Sequence, residues 1–173
     1  MKFNIVNKQN ISKNCFVCGI ENDLGLKTKF YETSNDEVIG IFTPNSKLQS
    51  YPNVLHGGIS ATILDETMGR AMMIKDDKDV FGVTIELTIR YRKPVPLNQE
   101  LKVVAKVTND RGKLVEGVGK LILPNGDVAV TAKGKYMRRD IKDIVDGEFQ
   151  GEEWMESDAE DFDTIIIGDK NDK

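Results

Sequence analysis

The stretch Asn53-Val54-Leu55-His56-Gly57-Gly58-Ile59-Ser60-Ala61-Thr62-Ile63-Leu64-Asp65-Glu66 gathers the residues best able to do chemistry. His56 is the only histidine, two glycines follow it, and a carboxylate stands two turns further on. Glycines at a helix start leave backbone N–H groups open to approach, and such groups can stabilise a developing oxyanion. A carboxylate can activate water or attack an acyl carbon itself. From Ile59 to Ile74 the only charges are Asp65, Glu66 and Arg70. A helix so apolar on almost every side belongs inside a protein, where an acid is costly unless paired or used. Glu66 precedes Arg70 by four residues, the spacing of a helical ion pair, so Asp65 is the stronger candidate.

This pattern of His-Gly-Gly, an apolar run and Asp resembles the hotdog-fold thioesterases, in particular the phenylacetate-degradation-type (PaaI-like) acyl-CoA thioesterases. The run Gly82-Val83-Thr84-Ile85-Glu86-Leu87-Thr88-Ile89-Arg90-Tyr91-Arg92-Lys93-Pro94-Val95-Pro96 matches the strand after the central helix in that group. Cys15-Phe16-Val17-Cys18-Gly19, followed by Asn22 and Gly25-Leu26, is common in one branch of it. The resemblance covers roughly residues 14 to 137.

The resemblance implies a fold, a reaction and a set of roles. Gly57, with Gly58 beside it, would supply the oxyanion hole, and Asp65 would be the base or nucleophile that hydrolyses an acyl-CoA thioester. Gly69 would leave space beside Asp65, and Thr84 would bond the water or Asp65. His56 would fix the loop before the helix or orient the thioester. Related enzymes carry an Asn several residues before the His; here Gln49 or Ser50 falls nearest, and Asn53 lies closer than the usual pattern. Arg90, Arg92 and Lys93 form a basic cluster suited to the phosphates of coenzyme A. Family members set Asp65 of one chain against the glycine amides of another, which implies a homodimer or a dimer of dimers. No cofactor is implied.

Two other readings share this fold: a non-catalytic acyl-CoA sensor and a hydratase or dehydratase. A sensor needs no carboxylate, so Asp65 argues against it. A hydratase would want Asp and His arranged differently from a single His directly before Gly-Gly.

The elements needed to position these residues are legible in the patterning. A chain of 173 residues fits one domain with a tail. Residues 1–13 read as an arm or short helix. Leu24–Glu32 and Glu37–Pro44 alternate as two strands around the turn Ser34-Asn35-Asp36. Asn45–Leu55 is a loop, and the helix runs from about Gly57 to Lys75, ending in Asp76-Asp77-Lys78-Asp79. Phe81–Arg92, Glu100–Asn109, Lys113–Leu123 and Val128–Met137 follow as strands, the last two a hairpin around Asn125-Gly126. This order predicts an α+β hotdog fold, an antiparallel sheet wrapped around one long central helix. The hotdog domain is expected over 1–137, with an acidic tail over 138–173 that is mobile or loosely docked. Within that tail, Thr164-Ile165-Ile166-Ile167 is apolar and β-prone, able to join an edge strand or a partner chain.

Charge and cysteine usage narrow the classes. Residues 152–163 hold seven acids and no base, so the net charge of −4 leaves the rest at +3. That suits a polyphosphate ligand and is too weak to argue for nucleic acid. There is no apolar run of bilayer length and no secretion-signal pattern at the start, so a soluble, cytoplasmic protein is expected. Cys15 and Cys18 lack a second pair, and His56 belongs to the main motif. They are expected to shape a turn and pack rather than to bind metal or cycle redox state.

Overall fold

The computed structural model describes residues 1–74, 80–146 and 154–168. Its strands are β1 (Lys2–Lys8), β2 (Ile11–Ser12), β3 (Lys29–Thr33), β4 (Glu37–Phe42), β5 (Val80–Tyr91), β6 (Leu101–Asp110), β7 (Leu114–Ile122), β8 (Val128–Asp140), β9 (Trp154–Met155) and β10 (Thr164–Ile166). The helix α1 (Gly57–Met72) lies between β4 and β5. One eight-stranded antiparallel sheet runs β10-β1-β3-β4-β6-β7-β8-β5, and β2 pairs with β9 apart from it. This is the expected α+β arrangement. The sheet curls over α1, which packs against β4 through β8. Ile63, Leu64 and Met68 are fully buried there among Phe30, Val38, Val103, Val115 and Leu121. Burying each such side chain contributes about 1.5–3 kcal/mol, which anchors the helix and the acid on it.

Several boundaries differ from the sequence reading. The first thirteen residues form two strands rather than an arm or helix. Phe3 and Ile5 follow the period of two, and β1 gains neighbours distant in sequence, β3 on one side and β10 on the other. The strand expected from Leu24 begins only at Lys29, because the Leu26 and Thr28 N–H groups donate instead to the Phe16 and Val17 carbonyls. The helix ends at Met72, where Met73 N–H caps the Arg70 carbonyl. The turn expected at Asp76–Asp79 lies outside the described residues.

The tail also shows more order than its charge suggested. The boundary expected after Met137 falls inside β8, whose pairing with β5 continues to Asp140. Beyond it, β10 adds to the edge of β1, and Ile165 and Ile167 bury with Phe3, Tyr31 and Ile39 on the outer face of the sheet. Lys8 pairs with Asp161 at 2.7 Å and Lys29 with Asp158, so part of the acidic run is held by lysines of the body. No described helix is long and apolar enough to cross a membrane.

Candidate active site

Asp65 sits half-buried at mid-helix, on a cavity of about 240 Å³. Thr84 Oγ1 donates to its Oδ1 at 2.9 Å, and the Tyr136 hydroxyl approaches the same oxygen at 3.1 Å. No donor among the described residues reaches Oδ2, which leaves that oxygen for a water or an acyl carbon. Thr84 on β5 and Tyr136 on β8 are direct cross-strand partners, so both side chains project from one face of the sheet. A bulge at Ile85 follows at once. It breaks the alternation of β5, so that Thr84 before it and Leu87 and Ile89 after it all turn toward α1. Gly134 makes room for the Tyr136 ring, since a Cβ there would lie 2.6 Å from it. Gly69 borders the same cavity; a Cβ there would make only ordinary contact with Tyr136 at 3.8 Å.

The environment favours a basic carboxylate. Burial pushes the Asp65 carboxyl above the ordinary aspartate range; the bonds from Thr84 and then Tyr136 pull it back, and Glu66 adds a smaller upward push. Burial and the adjacent Asp65 hold the Tyr136 phenol well above its usual range, so it stays a donor at neutral pH.

The helix start is built by His56. Its backbone is extended, and its Nδ1 accepts the Gly58 N–H at 3.0 Å as the N-cap. The Gly57 N–H has no such partner among the described residues. The Tyr91 hydroxyl donates to the Gly57 carbonyl at 2.8 Å, and a Cβ on Gly57 would meet the Tyr91 ring at 3.3 Å. Asp65 is eight residues past Gly57, about 12 Å along the axis at 1.5 Å per residue. The two groups cannot serve one carbonyl within one chain.

The remaining expected site residues lie apart from Asp65. Gln49 Oε1 accepts the Asn53 N–H at 2.9 Å, and Ser50 N–H donates to the Val54 carbonyl at 2.9 Å. Asn53 takes a left-handed backbone with φ of 62°, a turn role for its short polar side chain. These three shape an exposed loop next to His56. Arg90, Arg92 and Lys93 are exposed at the far end of β5, and Lys93 pairs with Asp127 at 2.6 Å.

The opposite wall of the cavity carries Cys15, Cys18, Glu66, Arg70 and Trp154. Arg70 is almost wholly buried. It donates to Glu66 at 2.8 Å, to the Asn10 carbonyl at 2.8 Å and to Cys18 Sγ at 3.1 Å, with its guanidinium over the Phe30 ring at 4.1 Å. The Glu66–Arg70 pair is the one the spacing implied. A hydrogen bond with Cys18 pulls the Cys15 thiol down to about 6, while that bond and burial push the Cys18 thiol up.

Sequence reasoning did not find Tyr136, Tyr91 or Trp154. Tyr136 and Trp154 reach the site only through strand register or tail docking, and Tyr91, though inside the run that resembles a family strand, meets Gly57 only in the fold.

The model of the Thioesterase superfamily matches residues 52–128, which hold His56, both glycines, Asp65 and Thr84. The acyl-coenzyme A thioesterase THEM4 of Mus musculus is 33% identical over 103 residues, 59% of this chain and 41% of that protein. The chain spans 55% or less of the length of the curated relatives it matches. Among solved structures, the thioesterase superfamily protein RHA08564 superposes with a TM-score of 0.67 at 28% identity, covering 73% of this chain and 61% of that one. The protein BH2602 of Bacillus halodurans, crystallised with CoA, gives 0.60 at 24% identity over 66% of this chain and 75% of that one. The antiparallel sheet wrapped around α1 is a hotdog fold, shared with these solved structures.

Proposed function

We propose that this chain, whose residues 52–128 match the model of the Thioesterase superfamily, hydrolyses acyl-CoA thioesters to a free acid and CoA. The observation that carries the proposal is the setting of Asp65. A half-buried carboxylate held by two neutral hydroxyls, with one oxygen open and a cavity beside it, fits a general base or a nucleophile. The likeness to THEM4 and to a fold neighbour crystallised with CoA supports an acyl-CoA substrate.

The reading requires two copies of the chain. Asp65 is about 12 Å from the Gly57 amide of its own helix, so the amide that meets its substrate comes from a second protomer. The edge of β5 supports this. It ends the sheet, is twelve residues long and exposes Val83, Ile85 and Tyr91. A long edge strand with apolar side chains is a template for pairing with another chain. A C2 dimer through this edge, or a dimer of two such dimers, is the assembly proposed. In it Asp65 activates water or attacks the thioester carbon, and the Gly57 N–H receives the oxyanion. His56 keeps that amide exposed by capping the neighbouring one. Arg90 and Arg92 meet the CoA phosphates.

The test is turnover of an acyl-CoA panel followed with a thiol reagent. Asp65→Asn keeps the size of the side chain and removes the base. Its turnover should fall by at least ~100-fold while acyl-CoA binding is retained. An unaltered rate would move the chemistry elsewhere. Tight acyl-CoA binding without turnover in the unmodified chain would make the protein a sensor. A species that light scattering shows to be monomeric and still active would remove the two-chain site.

A further inference from the structure

We infer that Cys15, Cys18 and Glu66 form a binding site for a thiophilic divalent cation of the Zn²⁺ class, with its fourth position open to the cavity. The two sulfurs and a Glu66 oxygen lie within 4.8 Å of one another, a spacing that one tetrahedral ion can bridge. Three protein ligands and one open position is the arrangement of zinc sites that keep a water or substrate ligand.

The surroundings hold both sulfurs in place as acceptors. The Val17 N–H donates to Cys15 Sγ at 3.3 Å, the Ser12 N–H to Cys18 Sγ at 3.3 Å, and Arg70 to Cys18 Sγ at 3.1 Å. These three contacts from N–H groups place the sulfur as acceptor, a role that a metal-bound thiolate keeps. The turn itself is closed by the Gly19 N–H donating to the Cys15 carbonyl at 2.8 Å. A Cβ at Gly19 would lie 2.4 Å from that oxygen, so only glycine fits after the second cysteine. Glu66 is fixed from behind by Arg70 at 2.8 Å, as carboxylate ligands are commonly held by outer partners. The charges also balance: two thiolates, one carboxylate, a divalent ion and the buried Arg70 sum to zero, which suits a half-buried cluster. The sequence shows two donors and no third. The fold supplies it from α1, forty-eight residues after Cys18. An ion here would fasten the cysteine turn to the helix and form one wall of the cavity that Asp65 borders.

The experiment uses the full chain, reduced and stripped of metal, and reads no catalytic activity. Titration with Co²⁺ should give thiolate-to-cobalt charge-transfer absorption and tetrahedral d–d bands that saturate at one ion per chain, and Zn²⁺ should bleach both. Cys15→Ser and Cys18→Ser should each abolish the charge-transfer signal of a two-sulfur site. Glu66→Gln should weaken cobalt by more than the ~10–100-fold typical of losing an outer partner. In the unmodified chain, where no variant can misfold, Zn²⁺ should protect both thiols from alkylation by iodoacetamide. Absent charge transfer at saturating cobalt, or equal alkylation with and without Zn²⁺, would overturn the site. Unchanged cobalt affinity in folded Glu66→Gln would overturn the three-ligand assignment.

Discussion

Asp65 and Glu66 are neighbours on α1, yet the two walls of the cavity treat them differently. On one wall, Asp65 receives only neutral hydroxyls, from Thr84 and Tyr136, and its carboxyl is raised by burial. On the other, Glu66 faces a buried guanidinium that also gathers the Asn10 carbonyl, Cys18 and two aromatic rings. A cation spends a carboxylate on structure, whereas hydroxyls orient it and leave it able to take a proton. One helix thereby carries an acid tied into an ion pair and an acid held only by hydroxyls, the one proposed for the chemistry.

The comparison can be broken at its structural end first. Arg70→Met should cost about 3 kcal/mol in denaturant unfolding, because it strands Glu66 and the groups gathered around the guanidinium. A loss below ~1 kcal/mol would show that this wall is not a structural centre.

The wall that carries Asp65 is sharpened by its pH profile. Turnover should rise with pH as Asp65 ionises, with a midpoint above the ordinary 3.8. Both hydroxyl bonds lower that midpoint, so Thr84→Val and Tyr136→Phe should each move it to higher pH, Thr84→Val further because its bond is the stronger influence. A downward shift in either would mean that the hydroxyls do not favour the ionised acid.

The smallest effect is on stability, and its sign separates the two acids. A carboxyl raised in the folded chain binds protons more tightly folded than unfolded. Its contribution is therefore greatest below 3.8 and declines as pH rises through the folded value. Asp65→Asn should consequently unfold at neutral pH no more easily than the unmodified chain. A clear destabilisation would place Asp65 with Glu66 as a structural acid.

How far the sequence reached follows the same division. The helix start, Asp65 and the ion pair of Glu66 with Arg70 are local, and spacing within one helix reveals them. Thr84 was within reach because it lies in a run resembling a family strand. Tyr136 was not, since its place opposite Thr84 depends on a register set by the bulge at Ile85. The tail docks where its apolar Thr164–Ile167 segment implied, on an edge strand. The partners of its acids were not legible: Lys8 and Lys29 meet two of them, and Trp154 reaches the cavity through a two-residue strand too short to show a period. The cysteine pair forms the turn and packs as its spacing implied, while Glu66, its third neighbour, is adjacent only in the fold.

The central claim is that Asp65 of one protomer works with the Gly57 N–H of another. Gly57→Pro isolates that amide. Proline suits the first helical position, and His56 before it already has the extended backbone that proline prefers, while the Tyr91 ring must give a few tenths of an ångström to admit its Cβ. Each homo-oligomer, Asp65→Asn or Gly57→Pro, should be inactive, the latter down by ~100–1,000-fold through the lost oxyanion donor. The decisive measurement is acyl-CoA turnover by the mixed Asp65→Asn/Gly57→Pro dimer. Sites shared between chains leave that dimer one intact pair, Asp65 from the Gly57→Pro chain and Gly57 from the Asp65→Asn chain, so activity should return to about half that of the unmodified dimer. A mixed dimer as inactive as its parents would contradict the shared site.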